Sequence, residues 1–499
     1  MLGRTGSVGL LCRFSSTSPP PEISRLHYPA SSGSRKEVRQ LSPAQVNQKL
    51  KANEYSHTIP RGSASHGVLG FHSNMLPSNQ PGEDRRSSAT FLPGHGGLMF
   101  GVFDGHAGPF CAHAVSQRLF YYMAVAMLPL RTLSELERAV EEERPVPPLL
   151  EWHKHPQDHS DTDGGEASAY SLRNYWQERL EEEEEEEEED DSRVSSALVS
   201  AFRRLDYDLS VEAQVYLSRR TDLHGEAVSQ SSPLRVVLSG CTACVAYISG
   251  GTIRLANLGD SRAVLGVQDA NGRWSALSLT NDHNAQNPDE LQRILGEHPP
   301  SEQRTVIRHE RLLGQLLPFR AFGDVRFKWS VEMLNRVYET RHDILSALGE
   351  ALRTPPPHYL TPPYLSAQPE VTWHRITPAD KFLVLATDGL WEVMHRQMVI
   401  QLVAQQLTGL QQQRPIIPGT GMTLGGLQHL LLERKGRALS ELEDQNAATH
   451  LLRHALGDDG YGAVAPNRLA KMLSLPTDLA RRYRDDITIT VIYLNEPNM

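Results

Sequence analysis

The sequence predicts an α+β fold, a central antiparallel β-sandwich flanked by pairs of helices, and three of its features lead there. Short apolar segments recur at 234–238, 243–249, 252–258, 263–266 and 274–279, and Gly-Gly, Gly-Asp and Asn-Gly steps among them mark tight turns between antiparallel strands. Strands spaced so regularly bury their apolar sides by packing two sheets face to face. Segments with apolar residues at helical spacing stand before and after this block, so helices layer onto the sheets.

Residues 1–21 contain Arg4 and Arg13, four serines, two threonines and no acid, with Val8, Leu10, Leu11 and Phe14 interspersed. That composition is expected of a mitochondrial presequence; a secretory signal has an uninterrupted apolar core. Residues 22–67 form a lead-in segment with one helix starting at Ser42-Pro43, where the serine caps and the proline occupies the first turn. The main domain runs over 68–496. Its apolar runs 68–71 and 98–103 are strands, and after Gly108-Pro109 the spacing of Ala112, Val115, Leu119, Tyr122, Met123 and Val125 predicts a long helix. Residues 129–191, carrying Pro145, Pro147, Pro148 and an acidic run, read as an insertion, and a second helix follows over 194–213. Beyond the central strands come a strand at 382–387, helices at 396–407, 445–456 and 466–473, and a β-branched terminal strand at 487–494.

With 39% hydrophobic residues the chain can bury a large core, and no apolar stretch approaches the roughly 20 residues that span a bilayer. Residues 181–191 are 11 acids in one block, and without them the formal charge of −10 becomes +1. A near-neutral body lacks the basic face that nucleic acid requires, and the block reads as a solvated run. Four cysteines are too few for a disulfide framework, which suits a reducing compartment. Cys241 and Cys244 have the spacing of a zinc or redox pair but no second pair, and they open an apolar run, so they are expected to be buried strand residues. His153 and His155, in Trp152-His153-Lys154-His155, are expected to face solvent from a polar loop.

Chemistry concentrates at strand ends. Phe103-Asp104-Gly105-His106 and Thr387-Asp388-Gly389 each put an Asp-Gly step directly after an apolar strand, whereas Asp163-Gly164 and Asp459-Gly460 look like plain turns. Asp485-Asp486 stands before the last strand, and Glu83-Asp84 before the one that leads to Asp104. Each acid alone would pass for a cap or turn residue. Gathered together they repel unless cations neutralise them. Oxygen-rich, sulfur-free ligands select Mg²⁺ or Mn²⁺, and two such ions about 3.5–4 Å apart activate a shared water for in-line attack on phosphorus. His106 is then placed to protonate a leaving alkoxide, and hydrolysis of a phosphate ester follows.

These acids lie within six motifs: Glu83-Asp84, Asp104-Gly105-His106-Ala107-Gly108, Ser239-Gly240-Cys241-Thr242-Ala243, Asn257-Leu258-Gly259-Asp260-Ser261-Arg262, Ala386-Thr387-Asp388-Gly389-Leu390-Trp391 and Asp485-Asp486-Ile487-Thr488. Their order resembles that of the metal-dependent PPM/PP2C protein phosphatases, over residues 68–494. Within that family, 152–156, 281–287, Pro318-Phe319-Arg320-Ala321-Phe322-Gly323-Asp324 and 443–450 resemble the branch that serves the mitochondrial pyruvate dehydrogenase complex, in agreement with the presequence. The resemblance implies a four-layer α-β-β-α sandwich with two Mg²⁺ or Mn²⁺ ions at one end. Asp104 would bridge both, Asp388 and Asp485 would hold one, the Gly105 carbonyl the other, Glu83 and Asp84 would act through water, and His106 would be the general acid.

It further implies an enzyme of the mitochondrial matrix that removes phosphate from serine on the E1 alpha component and so reactivates the complex. Docking on the lipoyl domain of the E2 core belongs to the same implication, and a regulatory subunit stays open as a further partner. Many relatives carry an arginine four residues before the Glu of the Glu-Asp pair to grip the substrate phosphate. Asn79 stands there instead, with Arg85 and Arg86 as substitutes at hand. Three alternatives remain in view. A catalytically silent scaffold would have no need of clustered carboxylates, a metal-dependent nuclease would want a basic track for the phosphate backbone, and a phosphatase of the same kind could act on another mitochondrial phosphoprotein.

Overall fold

The computed structural model describes residues 40–494, apart from 60–66, 95, 159–164, 182–189, 219–231, 342–343, 345–353, 409–424, 427, 429–443 and 461–462. The expected presequence and most of the acidic run lie outside the described residues.

Two six-stranded antiparallel sheets form the centre. The first has the order Tyr55–Thr58, Val68–Leu76, Ile487–Leu494, Asp380–Ala386, Arg262–Gln268, Trp274–Ser278. The second has the order Glu370–Arg375, Thr252–Leu258, Ala243–Ser249, Gly97–Phe103, Arg85–Phe91, Leu150–Trp152. Because side chains alternate along a strand, each central strand serves two cores. In Gly97–Phe103, Leu98, Phe100 and Val102 pack between the sheets with Phe71, Leu383, Leu385 and Ile492. Met99 and Phe103 point the other way, into a core shared with the helices Phe110–Met127 and Asp190–Ser218. On the first sheet, Phe382, Val384 and Ala386 turn outward toward Arg396–Thr408, Ala447–Gly457 and Pro466–Leu473. The result is the expected four-layer α-β-β-α sandwich. Among the described residues, no helix is long and apolar enough to cross a membrane.

Four expectations change. The run 234–238 is a helix, Pro233–Leu238, not a strand. An apolar run of five is too short for its period to decide, but Pro233 presets the first turn, and the buried Leu234, Val237 and Leu238 share the i, i+3, i+4 face of a helix. The lead-in segment belongs in part to the domain, since the compact unit begins at Gln40. Pro43–Lys51, closed by a Ser42–Gln45 capping box, buries Val46 and Leu50 in the outer core of the first sheet, and Tyr55–Thr58 pairs with Val68–Leu76. The insertion, too, is woven in: Leu150–Trp152 adds an edge strand to the second sheet, and the Trp152 ring stacks on Phe120 at 5.6 Å. His153 continues that edge, its amide donating to the Ser88 carbonyl, so its ring is buried 2.7 Å from the Thr90 hydroxyl rather than facing solvent. Cys111, Cys241 and Cys244 are buried free thiols.

Candidate active site

Asp104 leaves the end of Gly97–Phe103, and the chain pairs again at once. Gly105-His106 pairs with Gly240-Cys241, which pairs in turn with Phe322-Gly323, making a ladder two residues wide that draws together three distant segments. Two glycines in it are required by close approach. A Cβ on Gly105 would run into the Glu83 carbonyl, so only glycine lets Glu83-Asp84 lie against Asp104-Gly105. A Cβ on Gly240 would collide with Nε2 of His106 and the carboxylate of Asp324. Those two groups are 2.5 Å apart. Asp324 can reach His106 because Gly323 (φ 67°) and Asp324 (φ 49°) both adopt left-handed backbone, which for a non-glycine residue costs on the order of 1 kcal/mol or more. The Asp324 amide donates to the Ser239 carbonyl at 3.0 Å and holds the turn.

The other acids are tied in from the first sheet. Asp486 is buried and accepts from the backbone amides of Ser78 (2.6 Å), Asn79 (2.9 Å), Glu83 (2.7 Å) and Asp84 (3.3 Å), which clamps the whole loop that carries Glu83 and Asp84. Asp84 Oδ2 accepts from the hydroxyls of Thr387 (2.9 Å) and Thr488 (2.8 Å), one on each neighbouring strand end. Glu83 accepts from the Gly108 amide and from Asn79 Nδ2, both at 2.6 Å. Gly389, next to Asp388, packs on Asp485-Asp486, since a Cβ there would strike the Asp486 carbonyl and come within 3.3 Å of Asp485 Cβ. Arg481 pairs with Asp485.

Electrostatics mark this cluster as one unit. Burial pushes the Asp104 carboxyl well above the usual range, and Asp388, Asp84 and Asp260 push it further. Asp84 moves the same way through burial and Asp486, and Asp260 is pushed up to about 8 by burial and Asp388. Glu83 is raised by burial, which outweighs the Gly108 hydrogen bond. His106 is the opposite case. Burial pulls its pKa down, but Asp324, Glu83 and Asp260 more than reverse this and hold the imidazolium. An imidazolium thus stands beside a group of acids that resist ionising together. Among the described residues, no three His, Cys, Asp or Glu side chains close up into a finished ligand sphere.

Similarity to known proteins points the same way. The family profile described as Protein phosphatase 2C matches residues 153–417. Mitochondrial pyruvate dehydrogenase (acetyl-transferring) phosphatase 1 of Pongo abelii is 54% identical over 460 residues, covering 91% of this chain and 83% of its own. This chain belongs to the protein phosphatase 2C family. The human mitochondrial phosphatase 2 of the same title is 47% identical over 462 residues, covering 92% of this chain and 84% of its own.

For this phosphatase, the sequence reading found the acids at strand ends and missed four of their partners. Asp260 was visible in its motif, as an acid in the turn between two strands, but was given no role. Asp324 lies 218 positions from His106 and is linked to it only by the narrow ladder. Asp486 was seen beside Asp485, yet nothing local says that one faces the loop amides and the other Arg481. The proposed arginine substitutes are tied to the Glu83-Asp84 loop and to Asp158 rather than to the cluster of Asp104 and Asp388. Arg85 donates to the carbonyls of Gly82 and Asp84, and Arg86 is held by Asp158 and Ser73, while Asn79 is committed to Glu83. Arg481, by contrast, has a half-exposed side chain whose charge is felt by Glu83 and Glu392.

Proposed function

We propose that this chain is the phosphatase that removes phosphate from serine on the E1 component of the pyruvate dehydrogenase complex in mitochondria, and so reactivates the complex. Relatives of 54% and 47% identity are named as mitochondrial phosphatases of pyruvate dehydrogenase (acetyl-transferring). The observation that carries the chemistry is the His106–Asp324 pair, standing on the same ladder that delivers Asp104 and Gly105.

The donors fit a pair of hard divalent cations. Asp104, Asp388, Asp485 and the Gly105 carbonyl offer only oxygen, Asp388 Oδ1 is buried without a hydrogen bond, and the crowded acids would be relieved by positive charge. Asp104 would bridge both ions, Asp388 and Asp485 would hold one and Gly105 the other, with Glu83 and Asp84 acting through water. Mg²⁺ or Mn²⁺ bound there would supply Lewis acidity to the phosphoryl group and the attacking water. His106, kept protonated and oriented by Asp324, gives its proton to the departing serine oxygen. Arg481, at the rim beside Asp485, meets the substrate phosphate in place of Asn79. The enzyme works in the matrix, docks on the lipoyl domain of the E2 core and takes a regulatory subunit.

The test is phosphate release from phosphoserine E1. It should require Mg²⁺ or Mn²⁺ and drop by at least about 10³-fold in Asp104→Asn. Metal-independent turnover, or full activity in that variant, would sink the reading.

A further inference from the structure

A cavity of about 300 Å³ lies behind the Glu83-Asp84 loop, between the start of the strand Arg85–Phe91, the helix Phe110–Met127 and the segment that follows Leu150–Trp152. Its walls include Arg85, Arg86, His113 and Lys154, over an apolar floor that includes Leu76 and Pro77. The volume is at the small end of ligand sites.

Three acids also line it, and each is already engaged. Asp84 is held by two threonine hydroxyls, Asp486 by the loop amides and Asp158 by Arg86. The cations feel these acids, but only Arg86 touches one directly. Arg85 bonds only to the carbonyls of Gly82 and Asp84 and makes no ion pair among the described residues. Lys154 Nζ bonds to Gln117 Oε1 at 3.1 Å and rests 4.1 Å above the Trp152 ring, again with no carboxylate. Arg86, 8% exposed, leaves its Nη2 with no partner at all. Burying cations costs free energy unless an anion or a hydrogen-bond acceptor meets them. Burial depresses Arg85, Arg86 and Lys154 even against the opposing pull of Asp84, Asp486 and Asp158 on Arg85 and of Asp158 on the other two, and His113 is depressed by burial and then by the charges of Arg85 and Lys154.

We propose that this cavity is a binding site for a small multivalent anion, a phosphate or dicarboxylate of metabolite size, distinct from the site of hydrolysis. It shares Asp84 with the site of hydrolysis, but none of Asp104, His106, Asp388 or Asp485 lines it. Arg85 couples it to the catalytic loop, because the guanidinium that would meet the anion also holds the carbonyls of Gly82 and Asp84. Occupancy therefore tightens or loosens the segment carrying Glu83 and Asp84.

The test uses the full chain and calorimetry in EDTA, where bound metal cannot recruit an anion to the hydrolytic site. Inorganic phosphate and succinate are titrated separately, which distinguishes the two chemistries. At least one should bind saturably at one site, Lys154→Gln should weaken it by roughly tenfold or more, and Lys154→Arg should retain it. Equal melting temperatures of the variants establish that the fold is kept. Failure of both anions to saturate, an unchanged Kd in Lys154→Gln, or displacement of the anion by unphosphorylated substrate peptide would overturn the proposal. A second arm rests on the metal-dependent reading above: with the anion saturating, Mg²⁺ affinity measured by calorimetry should change by about fivefold. No change there would refute the coupling through Arg85 while leaving the binding arm to stand or fall separately.

Discussion

Asp324→Asn tests the proton donor by replacing one oxygen with an amide nitrogen. Asp324 Oδ2 lies 2.5 Å from His106 Nε2, and the two side chains are 7% and 24% exposed, so water screens the pair little. Asparagine keeps the shape and removes the charge that stabilises the imidazolium. A hydrogen bond to a charged group contributes about 1.5–3 kcal/mol, which at about 1.4 kcal/mol per decade is roughly 10- to 100-fold in any rate that needs protonated His106. The sign follows from the direction of the shift. Burial alone lowers the His106 pKa, and Asp324 is the largest of the charges that raise it above the ordinary value. Activity that needs the imidazolium is full below that pKa and falls as pH rises through it, so in the variant the fall moves to lower pH. The assay is kcat against pH on a phosphoserine peptide and on p-nitrophenyl phosphate in parallel. Serine oxygen is a poor leaving group that needs the proton, whereas nitrophenolate departs without it, so the loss should be confined to the peptide. Equal losses on both substrates, or an unshifted peptide profile, would refute the reasoning.

Other perturbations bear on the same cluster. Gly240→Ala puts a methyl group where His106 and Asp324 meet; peptide hydrolysis should drop about 100-fold with an unchanged circular dichroism spectrum, and a fully active variant would contradict the described contact. Arg481→Ala should raise KM for the phosphopeptide about tenfold with little change in kcat, an assignment that an unchanged KM would remove. Asp260 carries a folded-state pKa of about 8, so its stability penalty grows as pH rises above the ordinary carboxylate range and is complete above about 8. In EDTA, Asp260→Asn should raise the melting temperature by several degrees at alkaline pH, with the gain shrinking as pH falls toward about 4. A gain independent of pH would mean that charge is not its source.

Much of this protein was legible in order along the chain. The almost wholly apolar runs 98–103 and 382–387 name strands covered on both faces, because a strand has only two faces and both here are apolar. Acids placed directly after such runs, Asp104 and Asp388, must emerge at a sheet end, and their number already calls for cations. The helix at Pro233–Leu238 was misread for the converse reason, since five apolar residues satisfy either period. Edge pairing of Leu150–Trp152 and burial of His153 escaped as well, because a three-residue strand has no period to read, only a partner.

Residue types and their local setting therefore determined the layers, the clustered acids and the histidine beside them. Tertiary structure alone decided how they are coupled: Asp324 to His106 across 218 positions, Asp486 to the amides of Ser78, Asn79, Glu83 and Asp84, and Arg85 to the back of the catalytic loop instead of the substrate. Hydrophobic pattern is a property of neighbours in sequence, whereas a hydrogen bond between distant carboxylates, amides and rings exists only once the backbone has brought them within about 3 Å.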